Sequence, residues 1–310
     1  MTLKLSDPIF TDAEASRLWM EAQRWPNGPV CPHCGNCDPD RITSLKGKAH
    51  RAGLYQCNEC REQFTVQVGT VYERSKIPLN KWLLATFLIM SSKKGMSTRQ
   101  FQRMLGVSLK STWFMTHRIR EALAGGGFVG PLGGEGKTVS VDETYIGGKA
   151  SNRTYDKRPR KKMAVMTLVD HETGRATSRH LPNVGALEIR DILFTNVSRK
   201  STLVSDESNL YHYSGKAFAR HETVIHAGRE YVNKDGFSTN RNENFFSLLK
   251  RGIYGVYHHV SEAHLHRYVA EFDFRYSTRT LSDTERTALA VKGAEGKRLT
   301  YRRTRDATHA

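Results

Sequence analysis

The sequence predicts an α/β fold that is preceded by a small cysteine-rich module and a helical region. Three observations lead to this prediction. All five cysteines lie between residues 31 and 60, residues 79–123 carry a helical pattern, and apolar strands alternate with helical stretches from residue 138 onward. A glycine-rich linker at 125–137 separates the helical region from the α/β region. A length of 310 residues suits about two domains.

The overall charge indicates a polyanionic partner. Lysine and arginine total 48 against 31 acidic residues, which gives a net charge of +17. An excess of this size favours nucleic acid as the partner, although a generally basic protein is the simpler alternative. The longest apolar run, at 82–90, is far shorter than the ~20 residues that span a bilayer. Because the N-terminus also lacks the layout of a signal peptide, we expect an intracellular protein with no membrane partner.

The cysteines have the spacing of a structural zinc site. Two CxxC pairs are separated by 22 residues, and their members are Cys31, Cys34, Cys57 and Cys60. This spacing predicts a four-cysteine zinc ribbon, whereas a redox site needs only one pair. Cys37 and His33 are interpreted as spectators. A region as small as 1–74 has little core, and one bound Zn²⁺ would stabilise it by ~10–16 kcal/mol.

The helical region, 75–124, has the layout of a helix-turn-helix. The pattern predicts helices at 79–90, 97–107 and 108–123, with a turn at Gly106 and serine N-caps at Ser97 and Ser108. In a helix-turn-helix the second helix enters a DNA groove. It would present four candidate DNA-binding residues, Lys110, Ser111, Thr112 and His117. A purely structural helical hairpin is the alternative.

The α/β region contains apolar strands at 138–141, 163–169 and 202–205, a possible strand at 177–181 and a helix at 186–194. Six basic residues in the segment 153–162 predict a loop near phosphate, or else a solvated charge run. From residue 282 the chain is polar and basic, and we interpret 282–310 as a weakly ordered tail.

Three acids could form a catalytic site. Asp142 and Asp206 each follow an apolar strand, and Glu243 stands at the head of an amphipathic helix. Carboxylates at strand ends collect at one sheet edge, where open α/β folds place their sites. Close carboxylates repel each other unless cations neutralise them, so we expect two Mg²⁺ (or Mn²⁺) ions about 3.5–4 Å apart, suited to in-line phosphoryl transfer. Lys250, two turns after Glu243, would contact a DNA phosphate, unless the two residues form a surface ion pair.

Several longer motifs resemble one family, the DDE transposases of IS1595 insertion sequences (ISXO2-like). The motifs are CPHC…CNEC, FTVQVGTVY, TVSVDETYIGG, SDESNLY and ENFFSLLKRGIYGVYHHVSEAHLHRYVAEFDFRY. The resemblance implies a ribonuclease-H-like catalytic core over 138–281 with Asp142, Asp206 and Glu243 as its triad. It also implies strand cleavage and strand transfer at the terminal inverted repeats and into target DNA, a homo-oligomeric active complex, and a bacterial cytoplasmic location, nucleoid-associated when bound to DNA.

The residues leave several alternatives open. Asn240 or Asn242 is an alternative to Glu243 as the third ligand, and Glu143 and Glu207 are second choices because adjacent strand residues point to opposite faces. Arg251, Arg275 and His258 are candidate contacts to the DNA backbone. For the whole chain, the alternatives are a zinc-ribbon and helix-turn-helix regulator, or a ribonuclease-H-like nuclease without strand transfer.

Overall fold

The computed structural model describes residues 2–125, 130–147, 162–225 and 232–300. These residues form two compact units, one made of 2–125 with 281–300 and the other of 130–280. The predicted basic loop lies outside the described residues except for Lys162. Within the described ranges, no helix has the length and apolar character needed to cross a membrane.

The first unit begins with α1 (Ala13–Arg24) and a small three-stranded sheet. Its antiparallel strands are β1 (Ile42–Leu45), β2 (Leu54–Cys57) and β3 (Gln63–Phe64). Trp25, just after α1, packs edge-on against the rings of Tyr55 and Phe64. This aromatic cluster gives the cysteine-rich module a minimal core.

Three helices follow, close to the predicted bounds: α2 (Leu79–Ser91), α3 (Thr98–Leu105) and α4 (Leu109–Leu123). Both predicted N-caps are confirmed, because Ser97 Oγ accepts from Gln100 N and Ser108 Oγ accepts from Ser111 N. Gly106 ends α3 in the left-handed region, at φ +60°, which glycine adopts without a Cβ penalty.

The expected basic tail is corrected for residues 283–292, which form helix α9 (Asp283–Lys292). A capping box between Ser282 and Glu285 starts this helix. Thr287, Ala290 and Val291 are buried as α9 packs against α1, α2 and α4. The pattern escaped detection because these small side chains give a weak apolar stripe among charged neighbours.

The second unit is built on a five-stranded sheet in the order β6-β5-β4-β7-β8. β4 is antiparallel to β5, which is antiparallel to β6, whereas β7 and β8 run parallel to β4. This order and mixed direction are those of a ribonuclease-H-like fold. The strands are β4 (Thr138–Ile146), β5 (Met163–Asp170), β6 (Ala176–Leu181), β7 (Thr202–Asp206) and β8 (Arg220–Val224).

Helices cover both faces of this sheet. On one face, α5 (Ala186–Asn196) shares a core with Val139 and Leu203, and the short α6 (His212–Gly215) follows β7. On the other face, α7 (Asn240–Gly252), a π-helical turn (Ile253–Tyr257) and α8 (Glu262–Ser277) share a core with Ile146. α8 is also tied to β6, because Asp273 accepts hydrogen bonds from the backbone and hydroxyl of Ser178 at 2.8 and 2.6 Å.

Candidate active site

Asp142 and Asp206 lie side by side on neighbouring parallel strands. Ser140 on β4 pairs with Val204 on β7, and the same register two residues further along brings the two aspartates together. Because side chains alternate along a strand, Asp142 shares the sheet face of Ser140, which contacts α7. β4 continues past Asp142 to Ile146, so Asp142 lies within the strand rather than at its end as expected.

Glu143, expected only as a second choice, joins these aspartates. Carboxylate oxygens of Asp142, Glu143 and Asp206 all lie within 4.8 Å of one another. Tyr211 donates a hydrogen bond to Glu143 Oε1. Burial, with the negative charges of Asp206 and Asp142, raises the pKa of Glu143 to about 7. The acid doublet after an apolar strand was the one available signal in the sequence.

Glu243 lies in the first turn of α7, over the sheet face that carries Asp142, and its side chain is exposed. Its neighbour Asn242 is fully buried and anchors the helix to the sheet. Asn242 Nδ2 donates to Thr167 O at 2.8 Å, and Asn242 Oδ1 accepts from Ser140 Oγ. The amide of Asn242 is thus engaged by two strands, whereas Asn240, the first residue of α7, is exposed.

His171 completes this anchor. Its Nε2 lies 2.9 Å from Ser140 Oγ. A serine hydroxyl carries one proton, and that proton is donated to Asn242, so His171 must be the tautomer that donates through Nε2. Burial, assisted by the positive charge of Arg241, lowers the pKa of His171 to about 4. The imidazole is therefore neutral at physiological pH.

Lys250 lies two turns beyond Glu243 on α7, about 10 Å further along the helix axis. Within the described part of the chain, the side chains of Glu243 and Lys250 have no hydrogen bond or ion pair, so the two do not neutralise each other. Arg251 is exposed, with Nε 3.1 Å from Ser247 O. His258, also exposed, follows the π-helical turn with a left-handed φ of +60°.

Three expected DNA contacts are corrected by burial. Thr112 is 0% and His117 is 1% exposed, because most of α4 packs inside the first unit. Only the first turn of α4 offers exposed side chains, and these include Lys110 and Ser111. Arg275 is also buried, paired at 2.5 Å with Glu271. Glu207 is exposed and lies outside the carboxylate cluster.

The four predicted zinc ligands converge in the first unit, with sulfur atoms of Cys31, Cys34, Cys57 and Cys60 within 4.8 Å of one another. The separations Cys31 to Cys60 and Cys34 to Cys57 are 3.6 and 3.7 Å. Four thiolates about 2.3 Å from one tetrahedral Zn²⁺ would be about 3.8 Å apart, so the residues fit that ion. A hydrogen bond from the backbone of Cys60 is the main cause that lowers the pKa of Cys57 to about 6.

The sheet order and the paired aspartates define a protein of the ribonuclease-H-like class. Family profiles agree with this class: the ISXO2-like transposase domain matches residues 131–277, and the transposase zinc-ribbon domain matches residues 11–63. An uncharacterized protein in transposable element ISH50 of Halobacterium salinarum is 30% identical over 271 residues, which cover 81% of this chain and 86% of the relative. The chain belongs to the IS1595 family of ISXO2-like transposases.

Three solved structures have weaker similarity. A chain of the simian T-cell lymphotropic virus intasome in complex with the PP2A regulatory subunit B56 gamma aligns at 15% identity and a TM-score of 0.30. That alignment covers 62% of this chain and 64% of the other, just under two thirds of its length. The catalytic core domains of BIV integrase and of HTLV-2 integrase, the latter with magnesium, align at 16% and 11% identity, with TM-scores of 0.28. They cover 43% and 46% of this chain, and 80% and 86% of their own lengths. Scores this low establish no shared function.

Proposed function

We propose that this transposase binds the ends of its own insertion sequence and catalyses divalent-metal-dependent strand cleavage and strand transfer. One observation carries the proposal: Asp142 and Asp206 converge on adjacent parallel strands, and Glu243 lies in the first turn of the helix that packs on the sheet face of Asp142. Neither Glu243 nor Lys250 is engaged by another described side chain. Both are therefore available to cations and to substrate.

The donor set fits a hard divalent cation. Asp142, Asp206 and Glu243 would hold two Mg²⁺ or Mn²⁺ ions, and Glu143 adds a fourth carboxylate beside the aspartates. When bound, the ions would lower the pKa of an attacking water or 3′-hydroxyl and stabilise the leaving oxygen. Lys250 and the exposed Arg251 and His258 would hold phosphates of the strand that is cut.

The first unit would recognise the ends of the element. A four-cysteine zinc ribbon and the exposed first turn of α4, with Lys110 and Ser111, would contact the terminal inverted repeats. The net charge of +17 favours a polyanion along much of the chain. We further propose a homo-oligomeric complex, on the basis of the resemblance to DDE transposases.

The test compares the full-length chain with the variant Glu243→Gln on duplexes that carry the element's ends, with Mg²⁺ or with chelator. Metal-dependent 3′-end cleavage and joining are expected for the original chain and are expected to fall at least about 10³-fold in the variant. Glu188 is a matched control, because it occupies the first turn of α5 on the opposite sheet face. The variant Glu188→Gln is expected to cut like the original chain.

The same assay decides between the alternatives. Equal binding of the ends by both proteins without any cutting would favour a zinc-ribbon regulator over a transposase. Cutting without joining would favour a ribonuclease-H-like nuclease. Cutting that survives in Glu243→Gln would overturn the assignment of Glu243 and direct attention to Asn240 and Glu143.

A further inference from the structure

A basic cavity of about 220 Å³ lies within the first unit, between α4 and the segment that leads into α2. None of its lining residues belongs to the carboxylate cluster or to the zinc site. Cationic, hydroxyl and aromatic side chains combine there, including Arg74, Ser75, Lys76, Trp82, Phe114 and Arg118. We refer to it as the α4 cavity.

Arg118 is a fixed and incompletely satisfied cation in the wall of this cavity. The residue is only 6% exposed. Its Nη2 donates to Glu73 O at 2.6 Å, but Nε is buried and has no hydrogen-bond partner among the described residues. The guanidinium lies 5.2 Å from the ring of Trp82 and 5.6 Å from that of Phe114, which restricts its movement. Because a buried cation is costly without partners, an anion in the cavity would be stabilising.

Two further cations stand at the mouth of the cavity. Lys76 is exposed, and the side chain of Arg74 is 80% exposed. Arg74 has a left-handed φ of +54°, which costs free energy in a residue with a Cβ. Glu73 is the neighbouring acid, and its carboxylate accepts from Gly69 N and faces Arg74 and Arg298. Positive charge therefore exceeds negative charge around the opening.

The cavity adjoins the part of α4 that is open to solvent. Ser111 belongs both to the exposed first turn of α4 and to the cavity wall. A DNA strand that contacted this turn would therefore bring its phosphates close to the cavity. A phosphate oxygen suits the available donors, since it accepts charge-assisted hydrogen bonds from guanidinium and ammonium groups together with neutral ones from hydroxyls.

We propose that the α4 cavity binds one particular phosphate of the element-end DNA and so fixes the register of α4 on the duplex. The proposal rests on the proposed function, because it assumes that the first unit binds the element's ends. It assigns the main energetic role to Arg74, Lys76 and Arg118, and it limits groove contact to the first turn of α4.

The experiment scans an end duplex with single neutral methylphosphonate linkages and measures the Kd of full-length protein by fluorescence anisotropy. For the original chain, one linkage beside the α4 site is expected to raise Kd about tenfold, with smaller effects at neighbouring linkages. The double variant Arg74→Gln/Lys76→Gln is expected to bind unmodified DNA about tenfold more weakly and to lose sensitivity to that one linkage. Its plot of log K against log salt is expected to be shallower by about one unit.

Lys93 and Lys94 supply the matched control, because both are exposed in the first unit and lie outside the cavity. The variant Lys93→Gln/Lys94→Gln removes the same charge and is expected to keep the full sensitivity to that linkage. Equal loss of sensitivity in both double variants would overturn the proposal and assign the effect to general electrostatics. The conservative variant Arg118→Lys, checked for folding by thermal unfolding, is expected to lose sensitivity at the same linkage.

The outcomes also separate the two proposals. If the original chain does not bind the ends, the proposed function fails. The chain could instead bind and cut the ends while the variant Arg74→Gln/Lys76→Gln keeps its sensitivity to every methylphosphonate linkage. In that case only the cavity proposal fails. If binding of an acidic peptide depended on Arg74 and Lys76 while binding of the end duplex did not, the cavity would be assigned to a protein partner. That result would also overturn the cavity proposal.

Discussion

Replacing Asn242 with alanine is expected to loosen the helix that carries Glu243. Asn242 is fully buried, and its amide joins α7 to β4 through Ser140 and to β5 through Thr167. Alanine removes both links at once and leaves the neighbouring Glu243 side chain unchanged. The substitution therefore perturbs the position of the acid rather than its chemistry.

The loss of stability follows from the hydrogen bonds. The bonds to Thr167 O and from Ser140 Oγ contribute about 1 kcal/mol each, and a buried group left without a partner costs about 1–3 kcal/mol. Ser140 Oγ keeps His171 as a partner, and the contact from Asn242 to Ser140 O at 3.5 Å is too long to count. The free energy of unfolding is therefore expected to fall by about 3 kcal/mol. A domain with about 5–15 kcal/mol of stability stays folded after such a loss.

Urea unfolding, followed by circular dichroism, measures this change. Asn244→Ala is the matched control, since Asn244 is exposed two residues further along α7, and it is expected to change stability by less than about 0.5 kcal/mol. Strand cleavage by Asn242→Ala is expected to fall more than about tenfold, beyond any loss of folded protein. A change in stability of less than about 1 kcal/mol at an unchanged m-value would refute the anchoring role.

Three further predictions concern other titratable groups. Glu143→Gln is expected to raise the melting temperature of the metal-free protein, because it relieves repulsion with Asp142 and Asp206. The further rise in melting temperature on adding Mg²⁺ is expected to be smaller than in the original chain. A lower melting temperature of the metal-free variant would contradict this reasoning. Cys57→Ser is expected to bind less than one zinc ion per chain, measured by elemental analysis, and to make the first unit sensitive to proteolysis. The control Cys37→Ser is expected to retain one ion per chain. Burial raises the pKa of Asp273 to about 7, above its ordinary value near 4. Between these two pH values the folded protein retains a proton that the unfolded chain releases. The stability that this group contributes is therefore lost as the pH rises from about 4 to 7. Asp273→Asn is expected to flatten that decline in urea titrations, and the exposed Asp191→Asn to leave it unchanged.

The elements that the sequence predicted well are those with strong local signals. Paired cysteines at zinc spacing, serine caps before α3 and α4, and a long apolar run for β5 each specify structure within a few residues of chain. By contrast, β8 (Arg220–Val224) was not predicted, because it is a polar edge strand in which only Val224 is buried. Its strand conformation depends on pairing with β7, and the residues of β8 alone do not specify that pairing.

The sequence predicted the convergence of Asp142 and Asp206 but not the residues that surround them. Asp142 and Asp206 were recognisable because each comes after apolar strand residues, whereas the role of Glu243, at the start of an amphipathic helix, stays a prediction. The approach of Glu143 to the aspartates and the role of Asn242 depend on side-chain directions in the assembled sheet. Thr112 and His117 were wrongly expected to contact DNA for the same reason. The sequence of a helix with mixed polarity does not reveal which of its side chains are buried.

The position of α9 has a consequence for biosynthesis. This helix packs with α1, α2 and α4, yet the residues of the second unit, 130–280, are translated between them. At about 5–20 residues per second, a ribosome takes roughly 8–30 s to add that segment. During this interval the surfaces that α9 covers are open to chaperones and proteases. A chain that terminates early therefore cannot complete the first unit, and a finished first unit is always attached to a second unit that has already been made.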